Sequence, residues 1–256
     1  MKSFRQYLHE LETQEPFDPK LAYHDELNPA LWTNSGEQWL LKPEVSEALK
    51  KIADEFIEFL GISVADITDV ILTGSNTNYN WTELSDVDLH LVIDLSKGDK
   101  LCPTCPSDNF IEDCFQAKKT LWNSLHHITI HGFDVEVYAQ PASEQAVTDS
   151  GIYSLQRSQW LQFPEHKAVT IDNNAVKLKS QDIMNQIDEL LNSQSDNLEE
   201  LNAIKDKIRK LRAAGLKTGG EFSIENLAFK ALRNLGYAEK LSTYIGTLRD
   251  QSLSVK

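Results

Sequence analysis

The pattern of apolar and polar residues changes along the chain and predicts two kinds of architecture. Up to about residue 168, apolar stripes of helical period are interleaved with short strand-like runs, whereas every stripe after about Asn173 has a helical period. The strongest helix is predicted for PEVSEALKKIADEFIEFLG, which Pro43 can open and Gly61 can close. Its apolar face comprises Val45, Leu49, Ile52, Ala53, Phe56, Ile57 and Leu60.

Strand-like runs follow this helix. ITDVILTG is predicted to be a buried strand that ends at Gly74, and DVDLHLVID to be a second strand. NFIEDCFQAKKTLWNSL then predicts a helix, and ITIHGFDVEVYAQ predicts two strands that turn at His131 and Gly132. GIYSLQRSQWLQF predicts one more edge strand. Because helices and strands are mixed in this order, the predicted fold class is α/β (α+β) with a mixed sheet.

Three segments make up the predicted domain organisation. Residues 1–42 predict a short amphipathic helix followed by an arm that contains several prolines. Residues 43–168 form the predicted mixed-sheet domain, and residues 169–256 an all-helical C-terminal domain. Within the latter, Ser223 is predicted to cap the N-terminus of a helix that Gly236 ends.

The charge of the chain restricts its expected partners. The 256 residues include 25 basic and 39 acidic ones, which give a formal net charge of −14. Long nucleic acid is not an expected partner, because its binding relies on cations that neutralise phosphates. No apolar run has the length of a membrane span, so no membrane partner is expected either. The odd count of three cysteines and the lack of a secretion signal predict a cytoplasmic protein.

Two aspartates, Asp86 and Asp88, stand one residue apart at the start of the second strand. Side chains alternate between the faces of a strand, so both carboxylates are predicted to project from one face while Val87 and Leu89 enter the core. Neighbouring carboxylates repel each other unless a cation offsets their charge. Hard oxygen ligands on a rigid strand suit Mg²⁺ (or Mn²⁺), which takes further ligands from water and substrate phosphates.

A later strand and an earlier turn extend this candidate site. In FDVEVY, Asp134 and Glu136 share one face and can join the aspartate pair if the two strands are neighbours. Three carboxylates can hold about two divalent ions, the arrangement that serves in-line phosphoryl transfer. Gly74 lets backbone N–H groups approach a phosphate closely, and the Ser75 hydroxyl adds a donor.

The order of these residues resembles the signature of the polymerase-β-type nucleotidyltransferase superfamily. That signature is an apolar residue with Gly-[Gly/Ser], a gap, Asp-apolar-Asp, and then an acid between apolar residues on a neighbouring strand. Here Asp86 follows Ser75 by 11 positions, and the resemblance covers residues 43 to about 140. The whole chain, through LWN, VEVYAQ, GIYS and GGEFSIENLAFKALRNLGY, further resembles uncharacterised nucleotidyltransferase-like proteins of tailed bacteriophages, which implies the cytoplasm of a bacterial host.

The superfamily resemblance implies a Mg²⁺-dependent enzyme that moves NMP from an NTP, with ATP as the expected substrate, onto an acceptor hydroxyl. Pyrophosphate is the other product, and the acceptor is a protein, a small molecule or a short nucleic acid. The resemblance implies that Gly74 and Ser75 contact the nucleotide phosphates and that Asp86 and Asp88 bind both metals. The alternative is a non-catalytic nucleotide sensor on the same fold.

The resemblance also implies a third acid that binds the catalytic metal and helps to activate the acceptor hydroxyl. Glu136 is preferred for this role because Val135 and Val137 flank it, with Asp134 as the second candidate. For the phosphates, Lys118 and Lys119 lie on the helix after the aspartate strand and could reach the ligand, and Lys118 is the preferred candidate.

Arg209 and Arg212 are further candidates for nucleotide phosphate on the helical domain. A solvated helix face is the alternative interpretation for these cations. Cys102, Cys105 and Cys114 suggest a zinc site, although the second half of a zinc motif is missing and a surface loop is favoured.

Overall fold

The computed structural model describes residues 17–36, 38–94, 108–143, 150–167 and 169–255. Residues 22–170 belong to an α/β unit, whereas residues 171–255 belong to a helical unit together with the described residues up to Leu21. The predicted fold class, a mixed-sheet α/β domain followed by helices, is confirmed. The helix predicted near the N-terminus lies outside the described residues.

A six-stranded mixed sheet is the framework of the α/β unit. Its strand order is β5-β6-β4-β3-β7-β8, in which β4 and β6 run parallel and the other described neighbours run antiparallel. In chain order the elements of the unit are β1 (Trp32–Asn34), β2 (Trp39–Leu41), α1 (Pro43–Leu60), β3 (Ile67–Thr73), β4 (Val87–Ile93), α2 (Asp108–Leu125), β5 (Thr129–Ile130), β6 (Phe133–Pro141), β7 (Ile152–Ser154) and β8 (Gln159–Gln162).

Helix α1 forms where the sequence predicts it. Pro43 occupies the first turn, and the N–H of Gly61 bonds the carbonyls of Ile57 and Glu58 at the C-terminal end. The predicted apolar face is buried except at Ile52, which is partly buried. Together with apolar residues of α2, this face packs against the sheet and forms the core of the unit. Burying one such aliphatic side chain stabilises the fold by about 1.5–3 kcal/mol.

The two central strands present one apolar and one polar face. Buried and partly buried residues alternate along β4 and most of β6, as the period of two predicts. The predictions of these two strands and of a turn at His131 and Gly132 before β6 are therefore confirmed. The core face carries Val87, Leu89, Leu91, Ile93, Val135, Val137 and Ala139, and the polar face carries Asp88, His90, Glu136, Tyr138 and Gln140.

Two segments differ from the sequence prediction. The segment predicted as an arm contains the hairpin β1–β2, in which Trp32 is buried and stacks on Trp160 with ring centroids 4.5 Å apart. Strands of three residues are too short to show a periodic signal. The predicted single edge strand is a hairpin of β7 and β8, with β7 inside the sheet next to β3. Its turn reaches Ser158 without a glycine or proline that would mark it in the sequence.

The helical unit contains four described helices, α3 (Asn173–Asn192), α4 (Leu198–Gly219), α5 (Ile224–Asn234) and α6 (Tyr237–Leu253). Ser223 Oγ accepts the N–H of Asn226 at 3.2 Å, and Gly236 follows the end of α5, so both predicted signals are confirmed. None of the helices in the described part of the chain is long and apolar enough to cross a membrane. The buried centre of the unit comprises Ile183, Met184, Ile187, Leu201, Ile204, Ile208, Leu232, Leu241 and Ile245.

Candidate active site

A row of polar side chains crosses three neighbouring strands on the polar face of the sheet. Asp88 of β4 lies directly beside Glu136 of β6 in the parallel register, and beside Thr73 of β3 in the antiparallel one. Neighbouring strands are about 4.8 Å apart, so the two acidic side chains begin from adjacent backbone positions. The sequence left open whether the strand of Glu136 lies next to the strand of Asp88, and the structure shows that it does.

The phenol of Tyr138 bonds one of the acids. Burial raises the pKa of Tyr138 well above its ordinary value, and the charges of Asp88, Glu136 and Asp86 raise it further. The hydroxyl therefore stays protonated and donates a hydrogen bond to Glu136 Oε2. Asp88 and Glu136 lie side by side in the register, Asp86 directly precedes β4, and we call these three acids the acidic cluster.

Gly74 lies against this cluster. Its φ is +83°, a conformation that side chains rarely adopt, and a Cβ placed there would come within 1.9 Å of Asp88 Oδ2. Glycine is thus required by the backbone and by the space that the Asp88 carboxylate occupies. The chain continues into a short 3₁₀ turn, Ser75–Thr77, which brings the backbone after Gly74 next to Asp88.

A buried asparagine, Asn76, holds the loop between β3 and β4. Its Nδ2 donates to the carbonyl of Asp86 at 2.9 Å, and its Oδ1 accepts from Asn28 Nδ2 at 2.8 Å. Its own carbonyl accepts from Trp32 Nε1 at 2.7 Å. Asn76 therefore fixes the backbone of Asp86 relative to the Gly74 turn. Sequence reasoning missed this residue, because nothing in SNTNYNW distinguishes one asparagine from the next.

Replacing Asn76 with Ala is expected to destabilise the α/β unit by about 1–3 kcal/mol, because the partly buried carbonyl of Asp86 and the buried amide of Asn28 would lose a partner. Urea denaturation measures this loss. The control is Gln116→Ala on the exposed side of α2, where a change of less than about 0.5 kcal/mol is expected. Equal stabilities of the two variants would contradict the role of Asn76.

Next to the acids, Tyr138 is held from both sides. Its ring stacks on His90 with centroids 4.5 Å apart, and the ammonium of Lys119 lies 3.6 Å from its ring centroid. His90 Nδ1 is 2.6 Å from Gln140 Oε1, and burial lowers the pKa of His90. His90 is therefore neutral and packed against Tyr138, as expected for a residue that supports the site rather than for a metal ligand.

The predicted phosphate ligand Lys118 does not lie with the acids. Its ammonium donates to the carbonyls of Leu60, at 2.5 Å, and Phe59, at 3.3 Å, at the C-terminal end of α1. Successive helical side chains differ in direction by about 100°, so the next lysine points elsewhere. Lys119, which the sequence named beside Lys118 as a possible phosphate ligand, is the lysine whose ammonium lies over the ring of Tyr138.

The predicted cations of the helical unit line a cleft of about 220 Å³. Arg209 pairs with Asp206 at 3.1 Å, and the guanidinium of Arg212 lies 4.8 Å from the ring centroid of Phe229. Lys205 lines the same cleft, whose floor is apolar. A role of Arg209 and Arg212 in binding nucleotide phosphate remains a prediction.

Two further metal candidates, Asp134 and Cys114, lie within the described residues. Asp134 is exposed and lies 3.2 Å from His127 Nδ1, near the edge strand β5. Cys114 is an exposed free thiol, and Cys102 and Cys105 lie outside the described residues. Within the described residues, no group of three His, Cys, Asp or Glu side chains is already arranged as a metal site.

Comparison with known proteins adds little to this geometry. No protein-family model matches the chain, and no curated protein matches it. Among solved structures, the chain is similar to a STING-associated CdnE c-di-GMP synthase from Capnocytophaga granulosa, with 12% identity, coverage of 83% of this chain and 84% of that chain, and a TM-score of 0.24. A TM-score this low supports no inference about fold or function. The resemblance to bacteriophage proteins finds no support in these comparisons.

Proposed function

We propose that the chain is a nucleotidyltransferase that moves the NMP of a nucleoside triphosphate onto an acceptor hydroxyl and releases pyrophosphate. The observation that carries this proposal is the register that sets Asp88 directly beside Glu136, with Gly74 against the Asp88 carboxylate. Like charges placed opposite each other destabilise a sheet, so a purely structural role gives no reason for this pair. The polymerase-β-type signature in the sequence explains the pair, because it implies that these acids bind metal ions for nucleotidyl transfer.

Mg²⁺ or Mn²⁺ fits the chemistry of this donor set. Asp86, Asp88 and Glu136 would supply hard carboxylate oxygens, and support comes from the register that pairs Asp88 with Glu136 two residues after Asp86. Bound there, the ions would lower the pKa of the acceptor hydroxyl and stabilise the negative charge that develops during transfer. In the structure Glu136 Oε2 accepts the Tyr138 hydroxyl, so Glu136 has to share or exchange this hydrogen bond when it becomes a ligand.

The protein residues would orient the reactants and take up the proton. The turn at Gly74 gives the triphosphate close access to the backbone, and the Ser75 hydroxyl, which donates to Ser85 Oγ at 2.9 Å, would donate to a phosphate oxygen instead. The acceptor oxygen attacks the α-phosphorus while the bond to the bridging oxygen breaks and pyrophosphate leaves. Glu136 would accept the hydroxyl proton, whereas Asp134 lies 3.2 Å from His127 Nδ1 and is the less favoured acid.

The donor is proposed to be an NTP, with ATP first among the candidates, and the acceptor a protein, a small molecule or a short nucleic acid. The net charge of −14 argues against a long RNA acceptor.

A second candidate is a nucleotide sensor without turnover. The observation that favours it is the hydrogen bond from Tyr138 to Glu136, which occupies the acid that catalysis would need as a proton acceptor. A sensor would bind NTP with Mg²⁺ and release no pyrophosphate.

Mg²⁺ and NTP together are expected to raise the melting temperature more than the sum of their separate effects, since each completes the coordination of the other. At about 100 times Kd, a ligand stabilises the native state by about 2.7 kcal/mol. Differential scanning fluorimetry with EDTA-treated protein measures the coupling. The Asp86→Asn, Asp88→Asn double variant should lose it, and the exposed Asp134→Asn variant should keep it. A coupling that survives in the double variant would move the metal site elsewhere.

A further inference from the structure

Lys119 is a partly buried lysine whose ammonium lies 3.6 Å from the ring centroid of Tyr138, the residue that bonds Glu136. Burial lowers its pKa, and the carboxylates of Glu136 and Asp88 oppose that effect. Both acids thus lie within electrostatic reach of the ammonium. Lys119 also contacts the ring of Tyr138, whose hydroxyl donates to Glu136. The lysine therefore contacts the hydrogen-bond partner of Glu136 and interacts electrostatically with both Glu136 and Asp88.

The docking of α2 against the edge of β6 directs Lys119 to this place. The side chain of Asn123 accepts the N–H of Val137 and donates to its carbonyl, both at 3.3 Å, and thereby pairs with β6 as a neighbouring strand would. Lys119 lies four residues before Asn123, on the same side of the helix. The position of Lys119 over Tyr138 therefore follows from a specific helix–strand contact.

We infer that Lys119 is an internal counter-cation that neutralises Asp88 and Glu136 in the metal-free protein and transfers to the triphosphate when the metal–nucleotide complex binds. This inference rests on the proposed function. The arriving divalent ion and the ammonium are like charges at one cluster, so the metal repels Lys119 as it binds. The triphosphate brings several negative charges next to the metal, and the long, flexible lysine stem lets the ammonium follow them.

Lys119 has a matched comparison at the preceding position. Lys118 lies on the same helix and carries the same charge, but its ammonium bonds the carbonyls of Leu60 and Phe59 at the end of α1. Removal of Lys118 therefore removes one positive charge and a structural contact without removing the cation over Tyr138. A general effect of charge and a specific effect of Lys119 can thus be separated.

Mn²⁺ binding, followed by electron paramagnetic resonance, tests the inference without requiring turnover. Lys119→Gln is expected to bind Mn²⁺ alone about tenfold more tightly than the wild type, because no cation competes for the carboxylates. The same variant is expected to bind Mn²⁺ with a non-hydrolysable NTP analogue about tenfold more weakly, because the triphosphate loses a partner. Lys118→Gln should change both affinities by less than about twofold. Lys119→Arg keeps the charge, so its affinity for Mn²⁺ alone should equal that of the wild type.

Opposite shifts in the two affinities of Lys119→Gln would support the inference. Unchanged or weaker binding of Mn²⁺ alone by this variant, while the wild type binds Mn²⁺ through Asp88, would overturn the inference and leave the proposed function standing. If Lys119→Gln fails to fold, tighter Mn²⁺ binding by Lys119→Arg than by the wild type would overturn it equally. Absence of Mn²⁺ binding by the wild type would overturn the proposed function itself, and the inference with it.

Discussion

Asp88→Asn is expected to reduce nucleotidyl transfer by at least about three orders of magnitude, the loss expected when a ligand of ions that stabilise transition-state charge is removed. Asp88 is the central acid of the cluster, since it lies beside Glu136 and against Gly74. Asparagine keeps the shape and removes the charge, so the fold should persist. Release of pyrophosphate from NTP in the presence of Mg²⁺ measures the effect.

Two comparisons show whether this loss is specific. Ser75→Ala removes one hydroxyl donor to phosphate, worth about 1.5–3 kcal/mol, and should reduce turnover only about ten- to hundredfold. Glu136→Gln should resemble Asp88→Asn, whereas Asp134→Asn should lose less than about threefold, because Asp134 is exposed and lies with His127. Small and equal losses for Asp88→Asn and Ser75→Ala would place the reaction elsewhere.

Gly74→Ala is expected to destabilise the protein and to reduce turnover about hundredfold or more. The new Cβ would lie 1.9 Å from Asp88 Oδ2, so the carboxylate would have to leave its position and the metal would lose a ligand. The backbone of Gly74, with φ +83° and ψ −165°, lies in a region that almost only glycine adopts, and this adds about 1–3 kcal/mol of strain. Urea denaturation and pyrophosphate release separate the two effects.

Gly132→Ala is the control for a side chain added at a glycine with positive φ. Gly132 has a φ of +88°, but nothing lies within 4 Å of the added Cβ. Some loss of stability with nearly full turnover is expected for this variant. Equal turnover in Gly74→Ala and Gly132→Ala would show that the contact with Asp88 is not needed for the reaction.

The elements around the site follow from the sequence where a strong period determines them. Many apolar residues of α1 lie on one buried face, and buried residues alternate along β4. The period of the apolar residues therefore suffices to predict a helix and a strand. It also predicts that Asp86 and Asp88 share a face. The pairing of Asp88 with Glu136 could be predicted only on the condition that β6 lies next to β4, because strand order depends on contacts between distant segments.

Other parts of the site depend on packing that no local pattern records. Lys118 and Lys119 are equivalent in the sequence, and the contact of Asn123 with β6 decides which of them reaches the acids. Asn76 acquires its role from partners far away in the chain, among them Asn28. The hairpin β1–β2 is stabilised by the burial of Trp32 against distant residues rather than by a period of its own.

Transfer of label from each α-labelled NTP in the presence of Mg²⁺ tests the central proposal most directly. The purified protein is offered lysate protein, small metabolites or short RNAs as acceptors. We expect release of pyrophosphate and covalent label on one acceptor class, with ATP as the preferred donor. Both the release and the label should be lost with EDTA or in the Asp88→Asn variant. The proposal would be contradicted if the protein binds NTP and Mg²⁺ but no acceptor takes label and no pyrophosphate is released. If Glu136→Gln also leaves this binding unchanged, the protein is a nucleotide sensor instead.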